Sequence, residues 1–156
     1  MTDTKHAPVF LRVMRKVEPF IRDRYPKWGD WTFEQMSDQC AMYWNRGTMS
    51  LSVDCFGEIH GLCLIKLFRH LNDFLSEHPH DPCGKFCWVE LMIADYPQAA
   101  IEMKLGFIRR WGPQEIMMWD RGDRTAGKTP RMYTWAQYNK LTRRLSYGVP
   151  ELIESM

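Results

Sequence analysis

No apolar run in this 156-residue chain approaches the ~20 residues that a membrane-crossing helix needs. A spanning segment, and with it a membrane partner, is therefore not expected. The opening MTDTKHAPVFL lacks the basic-then-apolar design of a secretion signal. Cysteine is sparse and odd in number, 5 residues in a chain long enough to build a real core, which argues against a disulfide framework. These absences together point to a reduced, cytoplasmic protein. Internal repeats and low-complexity tracts are missing too. The formal net charge of only +2 exerts no global pull toward nucleic acid. Two catalytic signatures are also lacking. No Ser or Cys stands on a glycine-flanked elbow after a strand, and there is no dinucleotide-binding glycine fingerprint.

What is present is ordinary in bulk and unusual in detail. Hydrophobic residues make up 45% and charged residues 26%, as in globular domains. The 7 Trp and 11 Met suggest a core filled by large, adaptable side chains. The length predicts a single domain over residues 1–156, with 146–156 a loosely held C-terminal tail.

Apolar residues at Val9, Phe10, Val13, Met14, Val17, Phe20 and Ile21 have helical spacing, with Pro19 expected to kink or end the helix. Thr32-Phe33-Glu34-Gln35 reads as a capping box for a second helix to about Trp44, closed by Asn45-Arg46-Gly47. Met49 to Val53 and Ile59 to Phe68 read as a hairpin about Cys55-Phe56-Gly57. His70 to Gly84 is a polar connection, with one helical turn at LNDFL. Phe86 to Ala94 (FCWVELMIA) is apolar on both faces, as a buried strand should be. Pro97 opens a helix that Gly112-Pro113 closes, and Glu115 to Asp120 reads as the next strand. A loop over Gly122 to Pro130, a short strand at Arg131 to Thr134 and a helix at Trp135 to Leu145 complete the order. The class is α/β (α+β), a single domain with a mixed sheet.

Four patterns carry chemistry. Gly122 to Thr129 (GDRTAGKT) satisfies the phosphate-binding G-x-x-x-x-G-K-[ST] pattern after a predicted strand. Such a loop must open directly into a helix, whereas Pro130 and an extended stretch follow here, so a basic hairpin loop is expected instead. His78, His80, Cys83 and Cys87 are good zinc ligands, but their spacing is not that of a tight knuckle and Cys87 falls in a strand, so no metal is expected. Arg121, Arg124, Lys128 and Arg131, followed by Lys140, Arg143 and Arg144, face only Asp123 as an acid. That segment could meet a polyanion, as a phosphate-bearing ligand or a nucleic acid, or could simply be a solvated basic face. Glu90 stands in the middle of an apolar strand, where a charge must be paired, protonated or used. Strict alternation puts Cys87, Val89, Leu91 and Ile93 on one face and Trp88, Glu90, Met92 and Ala94 on the other. One account of Glu90 pairs it with an arginine or lysine. The other makes it a general base. His60 alternates with apolar neighbours in a predicted strand and is a second candidate base.

The order of elements over residues 9–135 resembles the GNAT superfamily of N-acyltransferases. The best local likeness is Trp88-Val89-Glu90-Leu91-Met92-Ile93-Ala94 with its following helix and strand. That segment is similar in arrangement to the toxin-activating lysine acyltransferases, which carry a catalytic aspartate in a Trp-apolar-apolar-acid strand pattern where Glu90 stands one residue closer to the Trp, and small GNAT-like proteins of tailed bacteriophages share the truncated look. The resemblance implies a mixed, mainly antiparallel sheet flanked by helices, and acyl transfer from an acyl-CoA to an amine. Glu90 would then deprotonate the amine, with His60 as a second base, and Tyr133 or Tyr138 would protonate the leaving thiolate. The Ile93-Ala94 backbone would align the pantetheine, and Gln98 and Ala99 would stand at the phosphate-binding helix entrance. It equally implies a non-catalytic alternative, an interaction or virion-associated protein with a protein partner, in host cytoplasm or virion. The family's entrance loop is glycine-rich, whereas here it is Asp95-Tyr96-Pro97-Gln98-Ala99-Ala100-Ile101. Pro97 removes a donor, alanine Cβ atoms limit close approach, and Asp95 adds a negative charge where phosphates would arrive.

Overall fold

The computed structural model describes residues 6–70, 80–112, 116–119 and 131–134, the last two segments as backbone strands. Helix α1 (Pro8–Arg24) starts with proline in its first turn and buries Phe10, Met14, Val17, Phe20 and Ile21 along one stripe. Pro19 lies inside it, and the helix runs on to Arg24. An interior proline costs about 3 kcal/mol. Full burial of Phe20 and Ile21 just beyond it, at about 1.5–3 kcal/mol each, offsets that cost. A short 3₁₀ turn at Pro26–Trp28, which the sequence did not announce, leads to α2 (Phe33–Arg46). The capping box is present: Thr32 Oγ1 accepts from the Gln35 amide at 3.1 Å, and the Thr32 amide donates to Gln35 Oε1 at 2.8 Å. Gly47 ends the helix at φ 77°.

Strands β1 (Met49–Val53) and β2 (Ile59–Phe68) form the expected antiparallel hairpin. Its turn is held by the Asp54 carboxylate, which accepts from the amides of Phe56 at 2.8 Å and Glu58 at 3.0 Å. Then come β3 (Phe86–Ala94), α3 (Pro97–Trp111), β4 (Ile116–Trp119) and β5 (Arg131–Thr134). Among the described residues the sheet has five strands, in the order β1-β2-β3-β4-β5. The β3–β4 pair is parallel and is bridged by α3, while the other neighbours are antiparallel. Helices α1 and α2 cover one face, packing Phe10, Met14 and Met36 against Leu62, Leu64 and Leu91. Helix α3 covers the other, with Met103 and Phe107 against Cys63, Ile65, Cys87 and Val89. The mixed, mainly antiparallel sheet flanked by helices is thus the expected architecture. Among the described residues no helix is long and apolar enough to cross a membrane.

Strict alternation along β3 is not what the chain does. Leu64 pairs with Leu91 and Ile65 with Val89, so Glu90 is an extra residue with no counterpart on β2. This bulge inverts the phase of the strand. Cys87 and Val89 face the α3 layer, whereas Leu91 and Ile93 join the α1/α2 core. A second bulge lies one strand over. Ser52 pairs with Gly61 and Val53 with Ile59, leaving His60 without a partner on β1.

The predicted helical turn at LNDFL, the loop Gly122 to Pro130, the helix Trp135 to Leu145 and the tail 146–156 lie outside the described residues.

Candidate functional site

The two candidate bases named from the sequence, Glu90 and His60, are the two bulge residues. A bulge takes a side chain out of the regular pleat and re-aims it. Among the described residues the pairing of β3 with β4 runs to Val89–Trp119, so Glu90 is also the first β3 residue beyond that described ladder. From Glu90 to Ala94, β3 has β2 on one side and no described strand on the other. Burial relaxes accordingly: Cys87, Trp88 and Val89 are buried, Glu90, Met92 and Ile93 half-buried, and Ala94 exposed.

Trp88, two residues earlier on the same face, donates its indole N–H to Glu90 Oε2 at 2.6 Å. A bond to an ionised carboxylate is among the stronger ones and orients the group. On α2, Tyr43 and Arg46 lie within reach of the Glu90 field. Burial, and then the negative charge of Glu90, push the Tyr43 hydroxyl upward. Arg46 stacks on the Tyr43 ring at 4.4 Å and donates to Thr48 Oγ1 at 3.0 Å. No ion pair locks Glu90 among the described residues. Its carboxylate is oriented by an indole and partly open to solvent, the state a base requires before it meets a substrate.

His60 sits in a different setting. Its Nε2 faces Asp54 Oδ2 at 2.8 Å and its Nδ1 faces Asp95 Oδ2 at 3.3 Å. The Asp95 amide bonds back to the His60 carbonyl at 2.8 Å. The Asp54 bond first, and the Asp95 bond second, raise the His60 pKa. With both nitrogens turned to carboxylates the ring is suited to be an imidazolium, with no lone pair left for a substrate. Asp95 is also gripped by Arg24 from α1, Nε to Oδ1 at 2.6 Å and Nη2 to Oδ2 at 3.0 Å. That fork, more than His60, holds the Asp95 carboxyl below the usual range. Beside Arg24 a cleft of about 370 Å³ opens between α1 and the start of β2, lined by Arg15, Lys16, Asp23 and Glu58 over Phe20 and Ile59. Five residues of strand, roughly 17 Å, separate Glu90 from Asp95. Glu90 and His60 are therefore two centres and cannot share one proton transfer.

The residues expected at a cofactor are spread along this open edge. Ile93 pairs with Leu62 and leans on the α1/α2 core, and Ala94 pairs with Gly61. Gln98 is half-buried in the first turn of α3, while Ala99 is fully buried and its amide already donates to the Tyr96 carbonyl at 3.1 Å. Tyr133 lies on β5 opposite Met117, which in turn opposes Cys87. Tyr138, Arg121, Arg124, Lys128 and His78 lie outside the described residues, and Arg131 begins β5.

His80, a candidate metal ligand, accepts the Leu67 amide on Nδ1 at 3.1 Å and meets the Trp111 ring edge-on at 5.0 Å. Burial pulls its pKa down to about 4. Cys83 is exposed and Cys87 buried. Among the described residues no three His, Cys, Asp or Glu side chains are placed to hold a metal ion.

Sequence reasoning missed Asp54 and Asp95 as partners of His60, and Arg24 as the partner of Asp95. Asp54 had a signal, as a turn aspartate three residues before Gly57. Arg24 and Asp95 are 71 positions apart, and no local pattern connects them.

No protein-family model matches the chain, and no curated protein matches it in sequence. In structure it is similar to GphF, a GNAT-like decarboxylase solved in complex with isobutyryl-CoA. The likeness has a TM-score of 0.51 at 12% identity, and it covers 80% of this chain and 71% of that one. At that identity the comparison speaks to architecture alone. The strand order, the parallel pair bridged by a helix and this likeness agree: the chain has a GNAT-like fold.

Proposed function

We propose that the protein binds an acyl-CoA along the open edge of β3 and transfers its acyl group to an amine. The observation that carries this reading is the coincidence at Glu90 of a bulge, the last described pairing with β4 and an oriented, half-exposed carboxylate. Between Glu90 and Ala94 the side of β3 away from β2 meets no strand among the described residues, and its backbone would offer donors and acceptors to an extended ligand, as a sheet edge does. The Ile93-Ala94 backbone would align the pantetheine, with Gln98 and Ala99 at the phosphate end. Glu90 would take the proton from the attacking amine. Tyr133 and Tyr138 are the candidates to return one to the leaving thiolate. The acyl-CoA bound to the GNAT-like neighbour supports the donor class, and because that neighbour is a decarboxylase, loss of CO₂ should be followed alongside amine acylation.

The test is a thermal-shift series with acetyl-CoA and longer acyl-CoAs. A ligand at 100 times its Kd adds about 2.7 kcal/mol, which for a domain of this size raises Tm by about 5–10 °C. Glu90→Gln should keep that shift and lower turnover by about 100-fold or more. No shift with any acyl-CoA would refute the reading. It would favour a non-catalytic interaction or virion-associated role, to which the glycine-free entrance of α3 is better suited.

A further inference from the structure

Asp95 stands immediately before the N-terminus of α3, where the helix dipole attracts anions, and is itself an anion. Two cations compensate it. Arg24 reaches across from α1 as a fork, and His60 turns toward it out of the β1–β2 bulge. His60 is shared with Asp54, whose carboxylate is fixed by two amides of the hairpin turn. Arg24, protonated His60, Asp54 and Asp95 sum to zero charge, and neutral His60 leaves −1. The cleft residues Arg15, Lys16, Asp23 and Glu58 cancel one another. The ring of Tyr96, 5.3 Å from the imidazole, adds no charge while its hydroxyl is protonated. One proton therefore decides the sign of this corner.

The two His60 contacts are not equivalent. A neutral imidazole keeps one N–H and turns a lone pair outward on the other nitrogen. The shorter contact, 2.8 Å to Asp54, holds a carboxylate that cannot follow the ring away. The longer, 3.3 Å to Asp95, involves a carboxylate that already has Arg24. A lone pair left on Nδ1 would face the Asp95 oxygen and be repelled.

We propose that Arg24 and His60 are positioning residues that hold Asp95 away from the entrance of α3, and that loss of the His60 proton opens the Asp95 contact while the Asp54 contact persists. The functional consequence rests on the acyl-CoA reading: an anionic donor meets a neutral corner when His60 is charged and a negative one when it is not. The direction of the His60 and Asp95 shifts agrees with the geometry.

Two measurements test this. In the unliganded protein, the amides of Asp95 and Tyr96 should titrate by NMR with the midpoint of the His60 ring, and those of Phe56 and Glu58 should move far less. Asp95 and Tyr96 amides that ignore His60 would overturn the proposal. The affinity of coenzyme A should then be compared at about pH 6 and about pH 8.5, on either side of an ordinary or raised histidine midpoint. The wild type should weaken about threefold more than His60→Gln, the size expected when one unit charge changes about a Debye length from a multiply charged anion. His60→Gln, fixed at the negative sum, should be weak at both values and cancels the titration of the ligand itself, whereas Asp95→Asn keeps the one-proton change about a more positive corner. Equal pH dependence in wild type and His60→Gln would also overturn it. If coenzyme A binds at neither pH, the acyl-CoA reading fails separately, and the amide titration alone decides the clamp.

Discussion

Three chemically identical substitutions, Gly→Ala at positions 106, 61 and 84, should have different and ordered effects on stability. Gly106 is exposed inside α3, and a Cβ there would come no closer than 3.9 Å to Ser50 Oγ. With space available, alanine gains helix propensity, and Gly106→Ala should stabilise by about 0.5–1 kcal/mol. At Gly61 the Cβ would stand 2.8 Å from Met103 Cε, the free end of a flexible thioether that can swing aside. A cost of about 1 kcal/mol is expected there. Gly84 is buried, and its Cβ would meet the Phe68 backbone, N and O both at 2.6 Å. Phe68 is paired with Phe86 in the sheet, so that backbone cannot yield. Gly84→Ala should cost about 2–3 kcal/mol, near the upper end for overpacking. For a domain of this size, 1 kcal/mol moves Tm by about 2–4 °C. The series should thus run from a rise of about 1–4 °C at 106 to a fall of about 4–12 °C at 84. Urea unfolding, with the slope checked for constancy, separates stability from changes in the unfolded state. If Gly84→Ala proves as stable as Gly106→Ala, the packing of the β2–β3 connection described above is wrong.

The ionic corner gives a pH signature of two signs. His60 has a raised pKa, so its contribution is fully present below the unfolded value of about 6.5 and is lost as pH rises through the folded midpoint. Asp54 and Asp95 have lowered pKa values, so theirs is present above about 3.9 and is lost as pH falls through the folded values. Asp54→Asn should bring the His60 midpoint down toward 6.5 by NMR titration; an unchanged midpoint would remove Asp54 as its main partner. Thr32→Ala removes one half of the capping box and should cost about 1 kcal/mol in chemical denaturation. A neutral result would mean that tertiary packing, and not the cap, sets the start of α2.

Elements whose signals are local were legible in the chain. The capping box, Gly47, the Asp54–Gly57 turn and the Pro97 and Gly112 borders each act within a few residues, and each marks a boundary the structure shows. The bulges were not legible, because a bulge is a mismatch between two strands. Nothing in FCWVELMIA says that β2 supplies no counterpart for Glu90. The candidate site was half legible for the same reason. A lone acid in an apolar strand and a histidine beside a turn were both visible. The Trp88 bond ran within the strand, but the Arg24 fork and the role of Asp95 depend on elements brought together only by folding.

The parallel β3–β4 pair also bears on the order of assembly. The β1–β2 and β2–β3 pairs close antiparallel, whereas Phe86 meets Ile116 only after α3 has crossed the sheet. Loop-closure entropy must be met before that contact gives anything back. The β1–β2–β3 meander with its helices should therefore form the folding nucleus, and β4 should dock late. Substitutions at Met117 or Met118 should then speed unfolding and leave the folding rate nearly unchanged. The edge on which Glu90 sits would be the last part of the molecule to be completed and the first to come undone.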